Sequence, residues 1–331
     1  MGLTAGNLTD VADCVRIGML GTRHGHAAGK WLALCANAGV EAVGIYDPDP
    51  LLIDRFPGAH WLRSADELLD DPTVTAVAIE ARNHQSLPLA QAAIDAGKHL
   101  WFDKPAGDNW SAFESLMRAA AERALHVQMG YMFRYSPGFA RVAELARSGD
   151  LGEIFAIRAH MSTNVDLTER REQSRHRGGI LYDLGGHMLD QIVWLLGRPR
   201  RIQTVCQNAA TPEIPAYVDN TVAVLEFDRA TAIVDIAAME PPPAARRFEV
   251  YGSESSAILE PFDPAHTLRV AINDSERIVN LEPVERQTLY GLELAALLEV
   301  IQGIRPPDRP PEHELLVQET LLRTTGSLTQ R

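Results

Sequence analysis

The first 130 residues alternate between two kinds of pattern. Short apolar runs at 15–20, 41–47, 74–79, 99–102 and 126–132 have the length and character of buried strands. Between them, 27–38, 87–96 and 110–124 space their apolar residues as helices do, and Gly97 stands where a helix C-cap belongs. Strands alternating with helices predict right-handed crossovers and a parallel sheet.

Past residue 132 the pattern changes. A helix at 138–148 leads into strand-like runs at 154–160, 202–206, 221–227, 232–238, 247–251, 257–260 and 268–272. One helical stretch, 180–196, interrupts them. Many strands with few helices predict an antiparallel sheet in an α+β arrangement. Helices are expected at 290–304 and 312–326, joined by a proline-rich turn from Pro306 to Pro311. The resulting class is α/β. A doubly wound parallel unit occupies 13–132, and an α+β unit with a large, mostly antiparallel sheet occupies 133–331. No internal repeat or low-complexity segment is visible.

The 331 residues, 46% hydrophobic and 23% charged, are ordinary for a globular protein of two such units. A formal net charge of -13 makes nucleic acid and anionic membrane poor partners. Three scattered cysteines, Cys14, Cys35 and Cys206, form no CxxC pair and read as buried free thiols in a reducing compartment. No signal peptide is apparent at the start, where about a dozen residues read as a loose tail, and no run is long enough to span a bilayer. A cytoplasmic location is expected.

Candidate chemistry begins in the turn after the first strand, Gly21-Thr22-Arg23-His24-Gly25-His26. Strand, glycine turn and helix N-terminus together cradle a pyrophosphate. Against G-x-G-x-x-G only Gly21 fits, with Arg23 and His26 at the second and third glycines. Two outcomes are open for Arg23. It swings out to pair with a phosphate while Gly25 takes over the close approach, or it fills the groove and blocks the cofactor. Asp47 ends the second strand, where an acid accepts from the adenosine ribose, although it is also a turn residue before Pro48.

Several later motifs occur in a recognisable order. Ala96-Gly97-Lys98-His99 followed by Asp103-Lys104-Pro105 resembles the "AGKHVxxEKP" signature of the Gfo/Idh/MocA oxidoreductases. Asn83-His84 resembles the start of that family's "PNxxH" turn, with Ser86 where its histidine usually stands. Gly130-Tyr131-Met132-Phe133-Arg134-Tyr135-Ser136-Pro137 is similar to "GYxxRFxP", Leu151-Gly152-Glu153-Ile154 to "LGEI", and the run from Gly178 to Asp190 to "GGGxLxDLGxHxxD". Glu80, Ala81 and Arg82 depart from the small, hydroxyl and proline run usual before Asn83, and Asp103 replaces a glutamate. The resemblance implies a Rossmann domain, a large sheet domain, bound NAD(P), a homodimer or homotetramer, and chemistry at Lys104, Asp183 and His187.

Those three suit an alcohol–carbonyl oxidoreduction. His187 is the natural proton acceptor near neutrality, and Asp183, four residues earlier, shares its helix face. Lys104 supplies positive charge for a forming alkoxide. Each also has a plainer reading: an exposed lysine after a strand, an acid at a helix start, a satisfied core histidine. The expected cofactor-binding set is Gly21, Thr22, Arg23, His24, Gly25, His26, Asp47, Asn83, His84 and Lys104. NAD is expected over NADP, since Asp47 repels a 2′-phosphate and Tyr46, Pro48 and Asp49 offer no cation. Tyr131, Arg134, Asn164, Arg175 and His176, with Asp183 and His187, are expected at a sugar or polyol substrate. The polar stretch 161–177 that carries three of them also fits a solvated loop. No metal is expected: His24 and His26 read as turn residues near phosphate, and Asp183, His187 and Asp190 lack a further ligand cluster. The leading reading is an NAD(H)-dependent dehydrogenase or reductase of a sugar-like alcohol. A cofactor-binding regulator or pseudoenzyme, and an NAD-recycling lyase or glycosidase, are the alternatives.

Overall fold

A computed structural model of the chain describes residues 14–50, 53–272 and 275–329. The expected tail therefore lies outside the described residues. Five parallel strands form the first sheet: β1 (Val15–Leu20), β2 (Val40–Tyr46), β3 (Ala76–Ile79), β4 (His99–Phe102) and β5 (Val127–Met129), in the order β2-β1-β3-β4-β5. Helices α1 (Ala27–Ala36), α2 (Asp66–Leu69), α3 (Asn83–Asp95) and α4 (Trp110–Glu122) connect them. β3 is buried at every position and β1 at nearly every one, which is why both read as continuous apolar runs. The order reverses at β1, so the crevice beyond the C-terminal ends of β1 and β3 is the natural ligand position.

A 3₁₀ turn (Met132–Tyr135) and α5 (Pro137–Ser148) lead to the second sheet. Here β6 (Ile154–His160) is followed by α6 (Leu167–Gln173) and α7 (Ile180–Leu196). Then come β7 (Arg201–Gln207), β8 (Asn220–Glu226), β9 (Thr231–Ala237), β10 (Arg247–Gly252), β11 (Ser255–Leu259), β12 (Thr267–Ile272) and β13 (Ser275–Asn280). The order is β13-β12-β11-β10-β6-β9-β8-β7. All pairs are antiparallel except β6 with β9, which the long passage through α6 and α7 makes parallel. α7 covers one face of this sheet against β6, β8 and β9.

Two helices return to the first sheet. α8 (Arg286–Ile301) packs on α1 and β4, and α9 (Pro311–Thr324) packs on α4, β5 and α7. Buried polar bonds fasten them: Trp101 Nε1 donates to Glu293 Oε2 at 3.0 Å, and Arg309 donates to Glu314 at 2.9 Å and to the Met129 carbonyl at 2.6 Å. The cysteines are free, as expected, but all three are exposed rather than buried: Cys35 faces outward on α1, and Cys206 lies on the edge strand β7. Among the described residues no helix is long and apolar enough to cross a membrane.

Candidate active site

The turn after β1 is shaped by Gly21, whose φ is +87°. A Cβ there would lie 2.5 Å from the backbone of Ala81, so the turn tolerates only glycine. Thr22 is fixed by Asp47, whose Oδ2 accepts from Thr22 N at 2.7 Å and Thr22 Oγ1 at 2.6 Å; Asp47 Oδ1 accepts from Asp49 N at 2.9 Å. Arg23 turns outward and pairs with the Asp49 carboxylate at 2.6 Å. A Cβ on Gly25 would meet nothing within 4 Å, and Gly25 faces a cavity. The amides of Arg23 and Gly25 have no acceptor among the described residues, whereas His24 N donates to the Glu80 carbonyl. Two free amides, an open glycine and the N-terminus of α1 fit a pyrophosphate.

Beneath the turn lies a buried charged cluster. Asp103 Oδ2 is 3.2 Å from His24 Nδ1, 3.0 Å from His26 Nδ1 and 2.9 Å from Lys30 Nζ. Lys30 Nζ is also 2.8 Å from Glu80 Oε1, and His24 Nδ1 is 3.5 Å from Glu80 Oε2. Burial opposes charge on His24, yet Asp103 and Glu80 lift its pKa to about 9. His26 goes the other way, down to about 4, because burial outweighs the pull of Asp103. Burial works against an ionised Asp103 too, but His24, His26 and Lys30 hold its carboxyl well below the usual range. Burial of Glu293, only partly offset by Lys30, pushes it up to about 8. Sequence reasoning found His24 and His26, noted Glu80 only as a departure from the family motif, and missed Lys30 and Glu293. The i, i+4 spacing of His26 and Lys30 was a readable signal; the strand ends that bring Glu80 and Asp103 alongside were not.

The cavity beside the turn holds about 600 Å³. Thr22, Arg23, His24, Gly25, His26, Asn83, His84 and Lys104 line one side, and Asn164, His176 and Asp183 the other. Lys104 Nζ donates to the main-chain oxygen of Asp183 at 2.7 Å, and the Asp183 carboxylate accepts from Gln173 Nε2 at 3.0 Å. Gln173 is in turn held by Tyr217 Oη at 2.6 Å. His176 stacks on Tyr182 with ring centres 4.5 Å apart, and its Nδ1 meets Asp108 at 3.1 Å.

The structure does not bring every expected residue to this wall. His187 is buried behind it, with ring centres 5.0 Å from Phe133 and 5.9 Å from His26. Burial, reinforced by Lys104 and His26, holds its pKa well below the ordinary value, so the ring is neutral. Tyr131 is buried against it. Arg134 is spent on an ion pair with Asp190 at 2.5 Å and on the face of Trp194. Arg175 is exposed and pairs with Glu172 at 3.0 Å. Asp47 acts behind Thr22 rather than on the wall. Arg55, which sequence reasoning passed over, and Arg82, noted only as a departure from the family motif, do line the cavity.

A five-stranded parallel sheet with a dinucleotide-type turn, joined to a second unit whose α6, α7 and the segments before them supply the facing wall, is the arrangement of an oxidoreductase with an NAD(P)-binding Rossmann domain. The family description "Oxidoreductase family, NAD-binding Rossmann fold" matches residues 15–131, and "GFO/IDH/MocA C-terminal domain" matches residues 139–258. The chain belongs to the Gfo/Idh/MocA family. It is 27% identical to the uncharacterized oxidoreductase YdgJ of Escherichia coli, over 96% of this chain and 86% of that protein. It is also 27% identical to scyllo-inositol 2-dehydrogenase (NADP(+)) IolW of Bacillus subtilis, over 61% of this chain and 56% of that one. In fold it is similar to GenD2 from gentamicin A biosynthesis, solved in complex with NAD (TM-score 0.82, 24% identity, 98% and 97% of the two chains covered).

Proposed function

We propose that the chain is an NAD(H)-dependent oxidoreductase that moves a hydride between nicotinamide and a sugar, cyclic polyol or related hydroxyl or keto substrate. The observation that carries this reading is the meeting of Lys104 and Asp183 at the wall of the cavity into which the glycine turn opens. Nicotinamide supplies or takes the hydride when bound. The Lys104 ammonium stabilises negative charge on the substrate oxygen. The Asp183 carboxylate, oriented by Gln173, holds a substrate hydroxyl or takes its proton. His187 is neutral, as a proton acceptor must be, and stands one ring behind His26, which does line the cavity. Asn164 and His176 offer further polar contacts to hydroxyl groups.

NAD is the cofactor in this reading. Asp47 lies just behind Thr22 and its charge repels a 2′-phosphate, while the charge of Arg23 is matched by Asp49. Arg55 is the cation nearest to a counter-argument, so dissociation constants for NAD and NADP are the deciding comparison; equal or tighter NADP binding removes the preference. The polyol class draws on the inositol-dehydrogenase relative and on a wall of amide, imidazole and carboxylate groups. Self-association through the open face of the second sheet belongs to the same proposal. The test is absorbance at the reduced-nicotinamide band during incubation with NAD and a panel of cyclitols and sugars. Net reduction is expected. Product without net reduction indicates cofactor recycling instead, and silence across the panel despite bound cofactor overturns the reading.

A further inference from the structure

In the proposed reaction a substrate oxygen lies against Lys104 and Asp183, and the next polar group along the wall is the Gln173 amide. Gln173 and Asp183 both line the cavity, and Gln173 Nε2 is 3.0 Å from Asp183 Oδ2. We propose that Gln173 is a specificity-determining residue that donates to a hydroxyl on the carbon adjacent to the reacting one, and that Tyr217 is the positioning residue that aims its amide. The substrate class narrows to vicinal diols and, in the reverse direction, α-hydroxy ketones. The adjacent hydroxyl is recognised and not consumed. This assignment rests on the reaction proposed above.

The direction of the amide comes first. An ionised carboxylate only accepts, so the NH2 end of Gln173 faces Asp183 and Oε1 faces away. Oε1 accepts from Tyr217 Oη at 2.6 Å. Tyr217 is fully buried, and burial holds its phenol above the ordinary range, so the hydroxyl keeps its proton. Donation therefore runs from Tyr217 through Gln173 to Asp183, and the amide cannot turn over without losing the bond to Asp183. Nε2 carries two hydrogens. Asp183 takes one, and the other has no acceptor among the described residues.

Rigidity is the second, independent argument. The loop 208–219 between β7 and β8 holds both helices that form this wall. Ile180 N donates to the Val218 carbonyl at 3.0 Å, which ties the residue after Tyr217 to the first turn of α7, the turn that carries Asp183. A Cβ on Gly179 would lie 2.3 Å from that carbonyl oxygen, so the approach requires glycine. On α6, Arg170 donates to Thr211 Oγ1 at 2.5 Å and to the main-chain oxygens of Val165 and Ala238 at 2.8 Å each. Thr211 Oγ1 donates in turn to Asp219 at 2.8 Å. Gln173 follows Arg170 by three residues, on the same helix face. The donor is thus ordered before any substrate arrives, and little freedom is left to lose on binding.

The chemistry of the wall is the third. A reacting hydroxyl donates to the Asp183 carboxylate and accepts from the Lys104 ammonium. Gln173 adds a fixed donor one hydrogen-bond length from the same carboxylate oxygen. Equatorial oxygens on adjacent ring carbons are separated by a comparable length, so one meets Asp183 while the other accepts from Gln173. Oxygens on opposite ring carbons are too far apart to meet both. A substrate without the adjacent hydroxyl leaves the amide hydrogen unpaired in a wall that cannot rearrange, and such a site discriminates by what is missing.

Trans-1,2-cyclohexanediol and trans-1,4-cyclohexanediol are isomers that differ only in whether their hydroxyls are adjacent. Oxidation of each with NAD is followed at the reduced-nicotinamide band for the full-length protein, Tyr217→Phe, Gln173→Leu and the double variant, with circular dichroism as the check on folding. If Gln173→Leu does not fold, Gln173→Met replaces it. The unaltered protein should favour the 1,2-isomer about 10- to 100-fold in kcat/KM. Gln173→Leu should bring the ratio near one. Tyr217→Phe should lower it about 3- to 10-fold, the worth of one neutral hydrogen bond, and should change nothing further once Gln173 is gone. Equal use of the isomers, or a preference that survives loss of Gln173, overturns the proposal and leaves the reaction standing. A second readout needs no turnover. The side-chain amide NMR signal of Gln173, assigned by its loss in the Gln173 variant, is recorded with NAD and equal concentrations of either diol. It should move with the 1,2-isomer and not with the 1,4-isomer, and Tyr217→Phe should displace it before any diol is added. Silence in turnover together with this response overturns the reaction and keeps the recognition. A Gln173 signal that ignores both diols, or that ignores Tyr217→Phe, overturns the recognition.

Discussion

Lys104 is almost wholly buried and its ammonium is anchored on one side only, by the Asp183 carbonyl, which leaves donors free toward the cavity. Lys104→Met keeps the stem and removes the charge. Turnover should fall about 100- to 10,000-fold, the range for a group acting on charge or a proton in the transition state, with an unchanged circular dichroism spectrum. Near-normal turnover on the true substrate would remove Lys104 from the reaction. Arg23 is the turn residue whose effect on the cofactor is most open to test. It pairs with Asp49 and still lines the cavity beside Gly25. A phosphate can replace Asp49 as its partner. Arg23→Ala should therefore weaken NAD roughly 10- to 100-fold, as expected for loss of a charge-assisted hydrogen bond, and added salt should weaken the unaltered protein more than the variant. Calorimetric titration at two salt concentrations measures both. Tighter binding in Arg23→Gly would show that the arginine blocks the groove. The turn residues that the motif grouped do line one cavity, because spacing within one turn is local. Motifs could not say that Arg134 is consumed by Asp190, 56 positions away.

Helix α7 shows why three residues on one stripe have three different surroundings. Gly178 and Gly179, both at positive φ, place its first turn against the Val218 backbone, and that turn carries Asp183 to the cavity wall. One turn on, His187 has passed behind Phe133 and His26. Another turn on, Asp190 is buried against Arg134 and His313. Periodicity predicted the shared face and the helix limits, but not that the face runs from cavity to core. Arg134→Gln should cost about 3 kcal/mol, the low end for breaking a buried pair because His313 still partners Asp190. Urea unfolding measures that loss, and NAD affinity should not move. β4 and β5 carry a pH dependence of their own. His126 N donates to His99 Nδ1 at 2.8 Å, which requires that nitrogen to be unprotonated, and burial lowers both imidazoles, His126 to about 4 with help from Arg309. The unfolded value is about 6.5. Between those values the unfolded chain binds protons that the native chain does not, so stability falls as pH drops from about 6.5 toward 4. Melting temperature should decline from pH 7.5 to 5, and His126→Gln should flatten the decline. An equal slope in the variant would exclude this histidine as the cause.

At the scale of the whole molecule, the two sheet types were legible because alternation and clustering of elements are long-range patterns in the sequence itself. The return of α8 and α9 to the first sheet was not, since it depends on single buried contacts such as Glu293 with Trp101 and Gln318 with Gly107. The short β13 was also missed, and α6 fell in a polar stretch that also fitted a solvated loop, because the charged run 169–172 hides a one-sided helix whose Arg170 and Gln173 are buried. The second sheet also has an uneven distribution of cover. α7 packs on one face, and the opposite face exposes large apolar side chains: Phe155 is 53% exposed and Val205 58%, with Val222 directly across from Val205. Such a face on an eight-stranded sheet is larger than scattered surface hydrophobes require, and a second copy of the same face is the self-complementary surface that closes a two-fold dimer. Polar neighbours on the outward-facing positions, including Arg158 and Glu249, are register partners across β6 and β10 and can pair with their counterparts. Sedimentation should therefore give a dimer or tetramer at micromolar concentration. Phe155→Glu combined with Val222→Asp should shift it toward monomer without loss of secondary structure. A monomer before substitution would end the assignment, and an oligomer indifferent to the two substitutions would move the interface off this sheet.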